Sequence, residues 1–141
     1  MITIHWKRLD PTAHAPTQGH AGDAGWDLYA LQAVVLRADE PPQKIPTGLA
    51  LQLPPGYAAW VVGRSGLTLL GFTVHMGLVD PHYRGEIGVM ASVTGMAEVQ
   101  IDAGSRIAQL VLFPVTETRW VSAEALEETT RGAAGFGSTG L

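Results

Sequence analysis

The C-terminal segment Arg131 to Leu141, RGAAGFGSTGL, combines an arginine, two hydroxyl side chains, four glycines and one aromatic ring. Glycine lets main-chain amides converge on an anion, while Arg131, Ser138 and Thr139 add charge and hydrogen-bond donors. Phe136 offers a face on which a flat ring can stack. These groups suit a segment that closes over a nucleotide, although a flexible tail without function is the alternative for a glycine-rich terminus.

A second candidate for phosphate binding is the run Arg64, Ser65 and Gly66 in the segment GRSGL. These residues follow a predicted strand and open a possible helix, so their amides, the hydroxyl and the guanidinium could converge on phosphate oxygens. An ordinary helix N-cap after a strand is the alternative interpretation. The segment alone does not decide between the two.

Asp80 ends the apolar to small segment Met76 to Val79 and is followed by Pro81. A carboxylate in this place could act as a general base beside a substrate. An aspartate before proline also commonly caps a tight turn, which is the alternative here.

The composition places these segments on one globular domain. The chain has 141 residues, and its hydrophobic fraction of 46% is enough for a core. A formal net charge of −4 and the lack of any run of Lys or Arg argue against polymeric DNA or RNA as a partner. Cysteine is absent, which excludes disulfides and thiol catalysis. No stretch approaches the roughly 20 apolar residues of a membrane span and the N-terminus is too polar for a secretory signal, so cytoplasm is the default expectation.

The apolar runs are short, rich in Val, Ile and Leu, and interrupted by Gly or Pro about every ten residues, which predicts an all-β fold. The expected strands are Ile2 to Leu9, Trp26 to Leu31, Ala33 to Arg37, Gly48 to Leu53, Tyr57 to Val62, Glu86 to Val93, Ala97 to Ile101 and Arg106 to Val115. This many strands favours a sandwich, a jelly roll or a barrel. Prolines predict loops at Glu40 to Pro46 and Pro54 to Gly56. Ser65 to Leu70 and Ser122 to Glu128 are the possible short helices.

Five segments, taken together and in order, resemble the motifs of the homotrimeric dUTPase family, and the resemblance covers Gly22 to Gly140. The segments are Ala24-Gly25-Trp26-Asp27-Leu28 for AG-x-DL, Arg64 to Leu67 for RSGL, Gly77, Asp80, Tyr83, Arg84, Gly85 and Glu86 for G-x-x-D-x-x-Y-R-G-E, Gly104 to Leu110 for the fourth motif and Arg131 to Gly140 for the fifth. Any one would be a weak match, whereas five in register leave little room for chance.

The resemblance implies a fold, an assembly and an activity. It implies an all-β, jelly-roll-like barrel or sandwich of the dUTPase-like β-clip type over residues 1–130, with residues 131–141 as a mobile arm that closes on the nucleotide. It also implies a homotrimer with three shared active sites, Mg²⁺, and hydrolysis of dUTP to dUMP and pyrophosphate. Such an activity limits uracil incorporation into DNA and supplies dUMP for thymidylate synthesis.

The resemblance also implies individual roles. Asp80 matches the general base for the attacking water, Gln109 is the other catalytic residue, and Asp27 acts on Mg²⁺ through water. Tyr83 is expected to pack under the deoxyribose, leaving no space for a ribose 2′-hydroxyl, while main-chain groups of the Val79 to Ile87 hairpin read uracil. The residues implied in substrate binding are Arg64, Ser65, Gly66, Val79, Tyr83, Ile87, Arg131, Phe136, Gly137, Ser138 and Thr139.

Two other functions compete with this interpretation. The related dCTP deaminases share the fold and much of the third motif, but they carry a catalytic glutamate at the position that Met90 occupies here. A non-catalytic nucleotide-sensing module on the same fold should have lost Asp80, Gln109 or the tail, and all three are present. The sequence therefore favours dUTP hydrolysis over deamination or sensing.

Overall fold

The computed structural model describes residues 1–135, which form ten β-strands and one turn of helix. The strands are β1 His5–Arg8, β2 Gly25–Tyr29, β3 Val34–Arg37, β4 Gln43–Gln52, β5 Tyr57–Val62, β6 Phe72–Val74, β7 Gly77–Val79, β8 Glu86–Val93, β9 Glu98–Ile101 and β10 Arg106–Pro114. The helix α1 is Ser65–Thr68 and follows β5. None of the helical residues within 1–135 belongs to a helix long and apolar enough to cross a membrane.

The strands form two four-stranded sheets and one two-stranded sheet, all with antiparallel pairing. The first sheet has the order β1-β4-β8-β6, the second the order β2-β10-β5-β7, and the small sheet pairs β3 with β9. One hydrophobic cluster joins residues of all three sheets. The jelly-roll-like sandwich expected from the sequence is confirmed, and neither large sheet closes into a barrel.

The core lies between the inner faces of the two large sheets. Along β8, buried residues alternate with more exposed ones, because successive side chains of a strand point to opposite faces. Its buried set is Ile87, Val89, Ala91 and Val93. The facing sheet contributes Leu28, Ala59, Val61, Ala108 and Leu110. The opposite face of this second sheet carries Asp27 and Gln109, together with exposed apolar side chains such as Trp60 and Leu78.

Most strand predictions are confirmed, two of them with identical bounds, Tyr57–Val62 and Glu86–Val93. The loop predicted at Glu40 to Pro46 is wrong from Gln43 onward, because β4 begins there and contains Pro46. The register of β4 against β8 shifts between Pro46 and Ala50. A proline is tolerated in a strand at such an irregularity, where its missing N–H breaks no regular ladder.

The helix prediction at Ser65 is confirmed for one turn, Ser65–Thr68, whereas the helix predicted over Ser122 to Glu128 is wrong. All residues of the second segment are exposed, and Leu126 retains 87% of its accessible surface. A helix this short needs tertiary packing to be stable in water, and no partner surface of the described residues covers it. This part of the chain is instead an exposed arm without regular secondary structure.

Candidate active site

Asp27 is the most buried charged residue in the described part of the chain, with 2% of its surface exposed. Three side chains donate hydrogen bonds to its carboxylate. Arg64 Nε lies 3.1 Å and Gln109 Nε2 3.3 Å from Oδ1, while Arg106 NH1 lies 3.3 Å from Oδ2. Burying a carboxylate is costly unless it is paired and hydrogen-bonded, and this arrangement supplies both.

The pairing of β2 with β10 places Asp27 and Gln109 side by side. The two residues are directly opposite in the antiparallel ladder, so their side chains share one face. Gly25 lies two residues before Asp27 on that face, and a Cβ built on it would lie only 2.9 Å from Gln109 Cδ. The glycine of the AG-x-DL motif therefore makes room for the Gln109 carboxamide.

Arg64 reaches Asp27 from the junction between β5 and α1. It is the N-cap of α1 in extended conformation, and no side chain caps the helix. The segment therefore does begin a helix after a strand, as the alternative interpretation expected, but without a side-chain cap. The first N–H groups of a helix have no intrahelical partner, and the space around Gly66 is open. Backbone donors at Ser65 and Gly66 thus stand next to the Arg64 guanidinium.

Arg106 belongs to the same cluster, and the sequence alone predicted no role for it. Strict alternation along β10 would put Arg106 and Gln109, three residues apart, on opposite faces. A bulge between Arg106 and Ala108 shifts the register against β2 and lets both side chains reach Asp27. The one feature of the sequence that could have indicated this role is the position of Arg106 within the fourth motif, Gly104 to Leu110.

The cluster has a formal charge of +1, since two arginines surround one carboxylate. The side chains of Arg64 and Arg106 are 27% and 50% exposed, against 3% for Asp27, so the cationic groups face solvent. Guanidinium groups presented in this way bind phosphate well. The arrangement is suited to an anionic ligand.

Metal binding by protein side chains alone has little support. Among residues 1–135, no three His, Asp or Glu side chains come together in a way that could hold a metal ion. A carboxylate offers about four lone-pair sites, and Asp27 uses three, which leaves one acceptor position on Oδ2. That position fits a water bound to a metal better than the metal itself.

A cleft of about 190 Å³ lies beside the hairpin of β7 and β8. Val79, Tyr83 and Ile87 line it, as do Lys44 and Gly88. The structure thus brings together the three residues that the sequence assigned to the sugar and base.

Tyr83 is held across the turn of this hairpin. Its hydroxyl donates to the Glu86 carbonyl at 3.0 Å, and a Cβ on Gly85 would lie 2.4 Å from that hydroxyl. The ring therefore depends on the glycine of the YRGE segment for its position.

Asp80 follows β7 directly and is exposed. The turn it begins is closed by its main chain, since Tyr83 N donates to the Asp80 carbonyl at 3.1 Å. Within the described residues no hydrogen bond to the Asp80 carboxylate is found, so the alternative of a side-chain turn cap is not supported. Asp80 follows Val79, which lines the cleft, but is not itself among the lining residues.

Within one chain, this cleft and the Asp27 cluster are well separated. Val79 lies opposite Ala59 and Gln109 opposite Val62, and β7 and β10 flank β5 on its two sides. Three residues along β5 and two strand spacings put Val79 and Gln109 about 14 Å apart. Gln109 also points toward β2, away from β7. The cleft and the Asp27 cluster are therefore two separate groups of residues within one chain.

The segment after β10 leaves the sandwich. Residues 116–134 are exposed, including Trp120 at 95% and Val121 at 74%. Arg131 lies at the end of this arm and donates to the Ala134 carbonyl at 3.0 Å. The predicted binding residues Phe136, Gly137, Ser138 and Thr139 lie outside the described residues.

The fold is an antiparallel β-sandwich with a cationic cluster on one sheet and a separate cleft at a hairpin, an arrangement suited to an anionic ligand. Residues 11–140 match the family model described as dUTPase. The chain belongs to the dUTPase family.

Individual relatives agree with this assignment. The chain is similar to a deoxyuridine 5′-triphosphate nucleotidohydrolase of Leifsonia xyli subsp. xyli, with 46% identity over 99% of this chain and 90% of the relative. A protein of the same description from Thermobifida fusca is 44% identical over 99% and 79%. A solved structure of a Staphylococcus bacteriophage 80alpha dUTPase with dUPNHPP superposes with a TM-score of 0.90 at 27% identity, covering 99% of each chain.

Proposed function

We propose that this protein hydrolyses dUTP to dUMP and pyrophosphate, and so limits uracil in DNA and supplies dUMP for thymidylate synthesis. The observation that carries the proposal is the Asp27 cluster, a cationic face built from three of the family's motif segments in a chain matched to the family over residues 11–140. Its charge and donors suit a triphosphate.

In the proposed complex, the phosphates lie at the start of α1. Arg64 donates from its guanidinium, and Ser65 and Gly66 donate from main-chain amides and one hydroxyl. The Arg64 guanidinium is held in place before substrate arrives, since it is already bound to Asp27. Preorganised donors stabilise the charge that develops as the α-phosphorus is attacked.

The deoxyuridine part of the substrate lies in the cleft of the hairpin. The Tyr83 ring packs under the sugar and excludes a ribose 2′-hydroxyl, while Val79 and Ile87 hold the strands whose main-chain groups read the base. Cytosine is penalised because its donor and acceptor pattern would leave buried polar atoms unpaired.

Asp80 is the proposed general base. Its carboxylate takes a proton from a water whose oxygen forms a bond to the α-phosphorus, and the bond from that phosphorus to the bridging oxygen breaks. Pyrophosphate leaves with the bonding electrons, and Gln109 holds the α-phosphate in line. The exposed Asp80 carboxylate is open to such a water.

Magnesium fits the site as an ion bound mainly by the triphosphate and water, with Asp27 accepting a hydrogen bond from one bound water. The ion neutralises phosphate charge when it is present. The single acceptor position that Asp27 retains supports this arrangement.

We further propose that the active protein is a homotrimer with shared sites. The separation of about 14 Å between Val79 and Gln109 supports a site that joins the cleft of one copy to the cluster of another. The exposed arm, with Trp120 and Val121, needs a surface to cover it, and an adjacent copy provides one. In this assembly residues 1–130 are the β domain and residues 131–141 close the site. A monomer mass in sedimentation at micromolar concentration would contradict the trimer.

The proposed substrate is a small molecule, and we expect the protein to act on it in the cytoplasm without a nucleic-acid polymer or a membrane as partner.

The test of the activity is to incubate the purified protein and Mg²⁺ with dUTP, dCTP, UTP and dTTP in parallel and to identify the products. We expect dUMP and pyrophosphate from dUTP, and little turnover of the other three. Ammonia release from dCTP would favour the deaminase, although the Met90 side chain at the cleft offers no carboxylate for that reaction. Equal turnover of UTP and dUTP would contradict the role of Tyr83.

A further inference from the structure

Arg106 is the second cation bound to Asp27, and the geometry points to a specific task for it. We propose that Arg106 is a positioning residue for dUTP hydrolysis, which keeps the Arg64 guanidinium turned toward the phosphates. The inference rests on the proposed function, because it concerns how that substrate is held.

The two arginines bind different oxygens of the Asp27 carboxylate. Arg64 Nε takes Oδ1 at 3.1 Å, and Arg106 NH1 takes Oδ2 at 3.3 Å. An arginine alone with a carboxylate tends to form a bidentate pair through two parallel N–H groups. With Arg106 on Oδ2, Arg64 is limited to one oxygen and its other donors are kept off the carboxylate.

The main-chain carbonyl of Arg106 also holds the Arg64 guanidinium in place. Arg64 NH1 donates to the Arg106 carbonyl at 3.2 Å. Of the five N–H groups of arginine, two are then engaged, and three remain for an anion. The carbonyl is present whatever side chain stands at position 106, so a substitution there tests the guanidinium alone.

Charge adds to this orientation effect. Without the Arg106 side chain, Asp27 and Arg64 would cancel, and the cluster would lose its net charge of +1. Removing the Arg106 side chain should therefore weaken the binding of the substrate's phosphates. The affinity for deoxyuridine, which has no phosphate, should be unaffected.

The experiment compares wild type with Arg106→Gln and Arg106→Lys, using calorimetric binding of α,β-imido-dUTP and of deoxyuridine. A charge-assisted contact supports an expected loss of roughly 10- to 100-fold in α,β-imido-dUTP affinity for Arg106→Gln. Arg106→Lys should recover part of the loss. Deoxyuridine affinity should change less than about twofold in both, since neither touches the cleft. Arg37→Gln, which removes an exposed arginine paired with Glu40 and Glu98, is the matched control.

A double-mutant cycle with Asp27→Asn shows whether Arg106 acts through Asp27. In the Asp27→Asn background, Arg106→Gln should cost less affinity than in wild type, because the orientation effect is lost with the shared carboxylate and only the charge effect remains. Additive losses, an equal loss of deoxyuridine binding, or unchanged α,β-imido-dUTP binding would each overturn the role of Arg106. Failure of the wild type to hydrolyse dUTP would instead overturn the proposed function, and this role with it.

Discussion

Gly25 and Gln109 touch across two neighbouring strands so closely that no side chain fits between them. A Cβ on Gly25 would lie 2.9 Å from Gln109 Cδ and 3.0 Å from its Oε1. Gln109 in turn donates to Asp27 at 3.3 Å. The smallest residue of the first motif therefore sets the position of a residue in the fourth.

Gly25→Ala should move the Gln109 carboxamide and lower both kcat and the free energy of unfolding. A displacement of about 1 Å at a reacting group costs on the order of 10²-fold in rate, while overpacking costs about 1–3 kcal/mol. Steady-state kinetics and urea unfolding measure the two effects. Gly95→Ala is the control for rate, since its Cβ meets no atom within 4 Å and the positive φ of Gly95 makes alanine costly to stability alone. Equal losses of rate in both variants would contradict the link to Gln109.

Asp80→Asn should reduce kcat by roughly 10²- to 10⁴-fold and leave nucleotide affinity within about tenfold, because the amide keeps the shape but cannot accept the proton. The matched control is Asp102→Asn. Asp102 is also exposed and also begins a turn through its carbonyl, which accepts from Ser105 N at 3.1 Å. Unchanged kcat in Asp80→Asn would show that the residue serves only its turn.

Gly71 and Gly95 form a matched pair for backbone strain. Their φ angles are 80° and 79°, so alanine at either position adopts the left-handed region, at about 1–2 kcal/mol. At Gly71 the new Cβ would also lie 2.2 Å from the Thr94 carbonyl oxygen. We expect Gly71→Ala to cost at least about 1–3 kcal/mol more in unfolding free energy than Gly95→Ala. Equal costs would mean that the backbone yields at Thr94.

Deletion of Gly132 to Leu141 should leave the fold and the oligomer intact, because none of its described residues, 132–135, belongs to the core. Turnover should fall by at least roughly tenfold, since a closing segment acts mainly in the transition state. Phe136→Ala should show part of the loss, through base stacking worth on the order of 1–3 kcal/mol. Kinetics paired with a thermal melt measure both variants. Full activity with an unchanged melt would show that the segment is a tail without function.

Alternation and length explain which strands could be predicted from the sequence. In β8, buried residues occupy every second position over eight residues, and both ends were predicted correctly. Strands β6 and β7 have three residues each, too few for a period of two to be recognised, and both were missed. The start of β4 was missed because of Pro46, since proline usually indicates a loop. A strand tolerates proline here because the register against β8 shifts, and this shift cannot be predicted from the sequence of β4 alone.

The residues of the candidate site could be predicted from motifs in the sequence, whereas their arrangement in space could not. Asp27, Arg64 and Gln109 were named from their motifs, and the structure brings them together. Arg106 was missed because its direction depends on a bulge, which a rule of strict alternation cannot foresee. The roles given to Asp27, Asp80 and the tail stay predictions until the variants are measured.

The distance between the hairpin cleft and the Asp27 cluster has a consequence for inheritance. If every active site combines residues from different subunits, two chains that are each inactive alone can form active sites together. A copy that lacks the Asp80 carboxylate still lends its Arg64 and Gln109 to a neighbour, and a copy damaged at Arg64 still lends its Asp80. Mixed assemblies of such chains would then contain some complete sites, so lesions that abolish activity alone would complement when expressed together.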